Sequence, residues 1–133
     1  MNNKIKLEDI LNEVCGVMGV DIEDVCGKSR KDFVVNARRI YCHTARKHTK
    51  ESFERIGQVV GVDHATAIYH NNKVKDYQET TKGGFFEFER RHLDDMFSHV
   101  NNQEKAKRVR LVIKDLQLKI DVELAKLKLL END

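Results

Sequence analysis

The chain contains no proline, so no residue along it is barred from a helix interior by a missing backbone N–H. Alternation of apolar and polar residues, the mark of a half-buried strand, is scarce. No apolar run approaches the 18 or so residues that a membrane span needs, so a membrane partner is not expected. The opening Met1-Asn2-Asn3-Lys4-Ile5-Lys6 lacks the apolar stretch of a secretory signal. Cysteine is sparse. Cys15, Cys26 and Cys42 are an odd number, widely spaced, with no C-x-x-C pair. Buried free thiols in a reducing cytoplasm are therefore expected, rather than a disulfide framework or a zinc site. What remains is an all-α reading of a 133-residue chain, enough for one core and an appended helix.

Charge is abundant but unevenly placed. The net charge of +2 conceals a basic segment. Residues 28–50 carry Lys28, Arg30, Lys31, Arg38, Arg39, Arg46, Lys47 and Lys50 against Asp32 alone, a local +7 that leaves −5 for the rest. A basic stretch on a mildly acidic body points to a local anionic partner, although a solvated helix face would show the same pattern.

Helical spacing recurs from the start. Leu7, Ile10, Leu11, Val14 and Met18 fall on one face, with Gly16 and Gly19 marking the end. Residues 21–25 read as a short helix opened by an Asp21 cap and closed at Gly27. Residues 31–48 place Val34, Ala37, Ile40, Tyr41, Thr44 and Ala45 on one face and basic residues on the other. A helix over about 51–60 follows, with Phe53, Ile56, Val59 and Val60 as its apolar positions. Gly61-Val62 breaks it, and Asp63 caps a helix over about 64–78. Thr80-Thr81-Lys82-Gly83-Gly84 reads as a loop. Phe86, Leu93, Met96, Phe97 and Val100 predict one more amphipathic helix, closing a domain over residues 1–101.

Residues 102–133 read differently. Ala106, Val109, Ile113, Leu116, Ile120, Leu127 and Leu130 repeat at three-four spacing, interrupted by Glu123. This pattern predicts a helix of roughly 42 Å with a coiled-coil seam. Leu111, Val112, Leu118, Val122, Leu124 and Leu129 widen the apolar stripe. Self-association into a homodimer through residues 103–130 is expected, while packing on the domain or joining a larger bundle stays open.

The pair of helices around Gly61 has the outline of a helix-turn-helix over residues 51–76. In such a unit the second helix presents its N-terminal residues to base edges in the major groove. Asp63, His64, Thr66 and His70 lie on the early part of that helix, while Ala67, Ile68 and Val74 are expected to face the core. A plain capped surface helix would account for the same residues.

Two stretches carry a more specific signal: Lys28-Ser29-Arg30 … Ala37-Arg38-Arg39-Ile40, and Ile56-Gly57 … Gly61-Val62-Asp63-His64-Ala65-Thr66-Ala67-Ile68. Together they resemble the C-terminal DNA-binding domain of the bacterial chromosomal replication initiator DnaA, over about residues 5–100. The resemblance implies a multi-helix, Trp-repressor-like helix-turn-helix domain followed here by a long C-terminal helix. It implies a minor-groove arginine at Arg30 and a DNA contact from Arg38. Arg39 stands where many members have glutamine, and Arg46 takes the place of a phosphate-facing lysine, with Lys50 further along the same basic segment. Asp63, His64 and Thr66 match base-reading positions. Val62 replaces a usual arginine, Ala65 replaces a usual threonine, and the turn is one residue shorter. These departures bear on the recognition sequence more than on binding, most of whose affinity comes from phosphate contacts.

Catalysis and cofactors are not expected. Gly27-Lys28-Ser29 imitates the end of a phosphate-binding loop, but the motif's first glycine is missing, with Ile22 in its place. The ATPase portion of the resembled family does not fit in 133 residues, so the expectation is a stand-alone reader of the sort a phage or mobile element carries. His43, His48, His64, His70, His92 and His99 have no spacing that converges on a metal. Asp94 and Asp95 are adjacent and point to different sides of a helix. The expected function is duplex DNA binding in the cytoplasm, at the nucleoid, in replication control or transcription. The alternative is a protein-interaction module whose C-terminal helix binds a host replication or transcription protein.

Overall fold

A computed structural model describes residues 5–80 and 84–132. Among them, six helices follow one another: α1 Leu7–Met18, α2 Ile22–Cys26, α3 Asp32–His48, α4 Phe53–Val59, α5 His64–Thr80 and α6 Glu87–Glu131. No strand occurs among the described residues. The helix starts and ends lie within about two residues of those read from the sequence, with two exceptions at the C-terminal side. Thr80 ends α5, and residues 81–83 of the expected loop lie outside the described residues. The last two expected helices are one: α6 runs 45 residues without a break through positions 101–103.

The centre of the fold is α3, which packs against each of the other five helices. Its apolar face wraps far enough around to serve them all. Val34, Ala37, Ile40, Tyr41, Cys42 and Ala45 are completely enclosed. Ile10 and Val14 of α1, Val25 of α2, Ile56 of α4, Ala67 of α5, and Leu93 and Phe97 of α6 meet them in one cluster. Each large side chain buried this way contributes roughly 1.5–3 kcal/mol relative to exposure. The Tyr41 hydroxyl donates to the Ile56 carbonyl at 2.9 Å, fixing α4 to α3. Burial raises the Tyr41 phenol well above its usual range. Cys15 and Cys42 are buried free thiols, and burial pushes them up to about 11 and about 12. Cys26 departs from that expectation: it is exposed, with its thiol donating to the Val59 carbonyl at 3.3 Å.

The root of α6 is tied down by polar contacts as well. Asp94 lies 2.8 Å from both Lys47 Nζ and His48 Nε2. Burial pushes that carboxyl up, but hydrogen bonds from His48 and Lys47 outweigh it and hold Asp94 below the usual carboxylate range. The Asn101 amide donates to the His48 carbonyl at 3.4 Å. From Lys105 to Asn132 every residue is exposed. That half of α6 extends roughly 40 Å from the body. Its charges interrupt its apolar positions, and no helix among the described residues is long and apolar enough to cross a membrane.

Candidate nucleic-acid interface

The short α4, a turn and the longer α5 form the core of the site, and glycine sets their geometry. Gly57 sits on α4 where a Cβ would come 2.6 Å from the Val62 carbonyl oxygen. Its own carbonyl accepts from Val62 N at 3.0 Å, so the chain after α4 folds back tightly. Gly61 then adopts φ +73°, the left-handed region that other residues enter at a cost. The turn delivers Asp63 to the start of α5. Its Oδ1 accepts from Thr66 N at 2.8 Å, the capping bond expected from the sequence. Hydrogen bonding to Thr66 holds the Asp63 carboxyl below its ordinary value.

With that cap in place, Asp63, His64 and Ala65 are exposed at the tip of α5 and Thr66 is partly so. The next turns divide by face. Ala67, His70, Asn71 and Val74 are buried, whereas Ile68, Tyr69 and Asn72 are exposed. Ile68 therefore lies outside the core expected for it. Its neighbours at three- and four-residue spacing, Ala65 and Asn72, share the open stripe. A helical count over residues 65–72 carries that signal, and the apolar character of isoleucine obscures it.

His70 is also placed differently from its expected surface role. It is 7% exposed, and its Nδ1 is buried without a hydrogen-bond partner. Burial, with smaller contributions from Arg39 and Arg38, lowers its pKa to about 4. The ring is neutral at pH 7 and is no cation for a phosphate. On α3, His43 places its Nδ1 3.1 Å from Oδ1 of Asn71 on α5, and burial likewise keeps its pKa low.

The basic segment is sorted by the fold into distinct uses. Arg38, expected to contact DNA, is 7% exposed. Its Nε donates to the Val25 carbonyl at 2.7 Å and Nη1 to Ser29 at 2.6 Å. Nη2 donates to Asp24 at 2.9 Å and to Gly27 at 2.8 Å. The guanidinium thus closes the C-terminal end of α2, where a cation is favoured, and clasps the segment leading to Arg30. Lys47 is engaged by Asp94. Arg39 is partly buried, 5.7 Å above the Tyr77 ring and 3.4 Å from its hydroxyl.

Lys28, Arg30 and Lys31 are exposed before and at the start of α3. Arg46 and Lys50 are exposed at its far end. Arg46 stacks 4.6 Å over Phe53 and donates to the Glu51 carbonyl at 3.2 Å, which holds its fork at the entrance to α4. Lys28 and Lys31 contribute to the basic charge of residues 28–50 but are given no role by the resemblance, and their exposure adds them to the candidate surface. About 21 Å of helix rise separates the start of α3 at Asp32 from Arg46, so the two basic groups stand at opposite ends of that helix.

Comparison with known proteins matches the same region. The family model described as "Bacterial dnaA protein helix-turn-helix" covers residues 7–74, from the start of α1 to the middle of α5. The chain is 36% identical over 80 residues to the chromosomal replication initiator protein DnaA of Bacteroides fragilis (strain YCH46), covering 59% of this chain and 17% of that protein. It is 35% identical over 79 residues to the protein of the same name from Thermodesulfovibrio yellowstonii, covering 59% of this chain and 18% of that one. With the Clavibacter sepedonicus protein it shares 34% over 76 residues, 56% of this chain and 16% of the other. The match spans less than a fifth of each relative's length. The family match covers α1 to α4 and the capped start of α5, and the chain belongs to the bacterial DnaA helix-turn-helix family.

Proposed function

We propose that this chain binds duplex DNA by laying the N-terminal end of α5 in the major groove. The observation that carries this reading is the capped tip of α5, where Asp63, His64 and Ala65 stand exposed with Thr66 beside them. A carboxylate accepts from a cytosine amino group, and a threonine methyl meets a thymine methyl. Arg30 reaches an adjacent minor groove, whose narrow form attracts an arginine. Arg46 and Lys50 contact phosphates from the other end of α3, and Arg39 contributes charge from beside Tyr77. Arg38 and His70 act from inside, Arg38 by holding the segment that presents Arg30. The domain so built, residues 1–101, serves replication control or transcription at the nucleoid in the cytoplasm, as a reader that a phage or mobile element carries. It binds and does not catalyse.

Selection from random duplex DNA, followed by anisotropy titration at two salt concentrations, tests this reading. Arg30→Ala and His64→Ala should weaken the selected site more than Lys50→Ala does. Equal losses for all three on every sequence would leave only nonspecific charge attraction.

A second reading concerns residues 102–133. Val109, Ile113, Leu116, Ile120 and Leu127 are each at least half exposed on the free half of α6. This supports pairing of two copies through residues 103–130, which would present two α5 helices to half-sites at fixed spacing. A host replication or transcription protein is the other occupant. Light scattering of the intact chain beside one ending at Asn102 separates these: a monomer in both cases removes the dimer.

A further inference from the structure

The exposed stripe of α5 is unusually apolar for a surface meant to meet DNA. Ala65, Ile68 and Asn72 are spaced by three and four residues, with Tyr69 beside Ile68, directly behind Asp63 and His64 at the helix tip. Ile68 is 37% exposed and Tyr69 51%, while Ala67, His70, Asn71 and Val74 turn away into the protein. Neither Ile68 nor Ala65 belongs to the core cluster or to the residues packed against it. An aliphatic side chain at this position gains nothing from phosphates and can make no hydrogen bond to a base edge. Within the DNA grooves it has one apolar partner, the C5-methyl group of thymine, which projects only into the major groove.

Charge complementarity commits this stripe to nucleic acid rather than to an apolar protein surface. Arg30, Lys31, Arg46 and Lys50 are exposed on α3 and its flanks, the helix against which α5 packs. The Lys73 ammonium lies 5.4 Å over the Tyr69 ring, so the edge of the stripe itself carries positive charge. Resting on the DNA-binding reading above, we infer that Ile68, with Ala65, is a specificity-determining surface for thymine methyl groups one helical turn beyond the Asp63–His64 tip. The preferred site then contains thymine at one or two positions under the second turn of α5. Tyr69 and Lys73 flank the contact towards the backbone.

The test uses the intact chain and the duplex that selection yields. Each thymine of that site is replaced in turn by deoxyuridine, which pairs identically but lacks the methyl group. At least one replacement is expected to weaken binding about fourfold, the effect of one apolar carbon leaving a buried contact. In Ile68→Ala the same replacement should have almost no effect, because the partner of the methyl is already gone. Its salt dependence should match that of the unsubstituted chain, since no phosphate contact is touched. Ile68 is outside the core, so thermal unfolding should confirm an unchanged fold. If specific binding persists and every deoxyuridine substitution is neutral, the thymine inference is overturned while the DNA reading stands. The same holds if the methyl effect is undiminished in Ile68→Ala. If the chain binds no duplex at all, the DNA reading itself falls.

Discussion

The two halves of α6 carry similar apolar spacing and meet opposite fates. Near its start, Leu93 and Phe97 are enclosed against α3, and Asp94 is held by Lys47 and His48. Beyond residue 104 the same helix presents Ile113, Leu116 and Ile120 to solvent, each half exposed or more. Periodicity records that a face is suited to burial. It does not name what covers it, and among the described residues only the first half finds its cover. The contrast also separates stability from assembly: the root of α6 belongs to the folding unit, and the free half can contribute only through another molecule.

The sharpest way to break this comparison is one substitution in each half. Leu93→Ala leaves a cavity in a sealed site and should cost about 3–5 kcal/mol in urea denaturation. Leu116→Ala should cost under about 0.5 kcal/mol at a protein concentration where the chain is monomeric. A large, concentration-independent loss for Leu116→Ala would show that the free half is packed within the chain after all.

Arg38→Ala comes next, because it strips four backbone carbonyls of a buried donor. A loss of about 3 kcal/mol is expected. DNA affinity should fall with it, and Arg38→Ala should add little once Arg30 is already alanine. Full additivity of the two in binding would mean that Arg38 touches DNA itself.

The buried histidine gives a pH signature of similar or smaller size. His70 has a folded pKa of about 4, below the roughly 6.5 of an unfolded histidine. The unfolded state therefore binds the extra proton first. Stability is intact above pH 6.5 and declines as pH falls from there to about 4, by up to about 3 kcal/mol. His70→Gln should flatten that part of the unfolding curve, leaving the smaller share due to His43. An unchanged pH profile in His70→Gln would contradict the burial argument.

The smallest expected effect is at the turn. Gly57→Ala places a Cβ against the Val62 carbonyl oxygen, so backbone must shift, at about 1–3 kcal/mol. Because the strain falls on the segment delivering Asp63, selectivity among DNA sequences should drop more than affinity for a nonspecific duplex. A wild-type selectivity in this variant would show that the α4–α5 turn tolerates movement.

Much of the fold was legible because local signals govern helix ends. Gly19, Gly61 and Asp63 act where a sequence reading puts boundaries, and Asp63 makes the capping bond its position implies. The misplacements have non-local causes. Arg38 looks like one more member of a basic face, but its partners are carbonyls 9 to 14 residues earlier, brought near only when α2 packs on α3. His70 reads as a polar residue on a recognition helix until α3 closes over it. Ile68 reads as core by chemistry, yet its angular position puts it with Ala65 and Asn72. The boundary expected after residue 101 falls inside α6, where the bond from Asn101 to the His48 carbonyl ties a continuous helix to the body.

The central claim, that the α5 tip and the two basic ends of α3 read duplex DNA, is tested most directly by salt-dependent binding of the intact chain to a selected duplex and a scrambled one. With Arg39, Arg46 and Lys50 on phosphates, the logarithm of affinity should fall against the logarithm of salt with a slope of roughly −3. His64→Ala should reduce the preference for the selected duplex, more so when combined with Arg30→Ala, and leave that slope nearly in place. Binding that is insensitive to salt, or a preference that survives His64→Ala and Arg30→Ala together, would contradict the account.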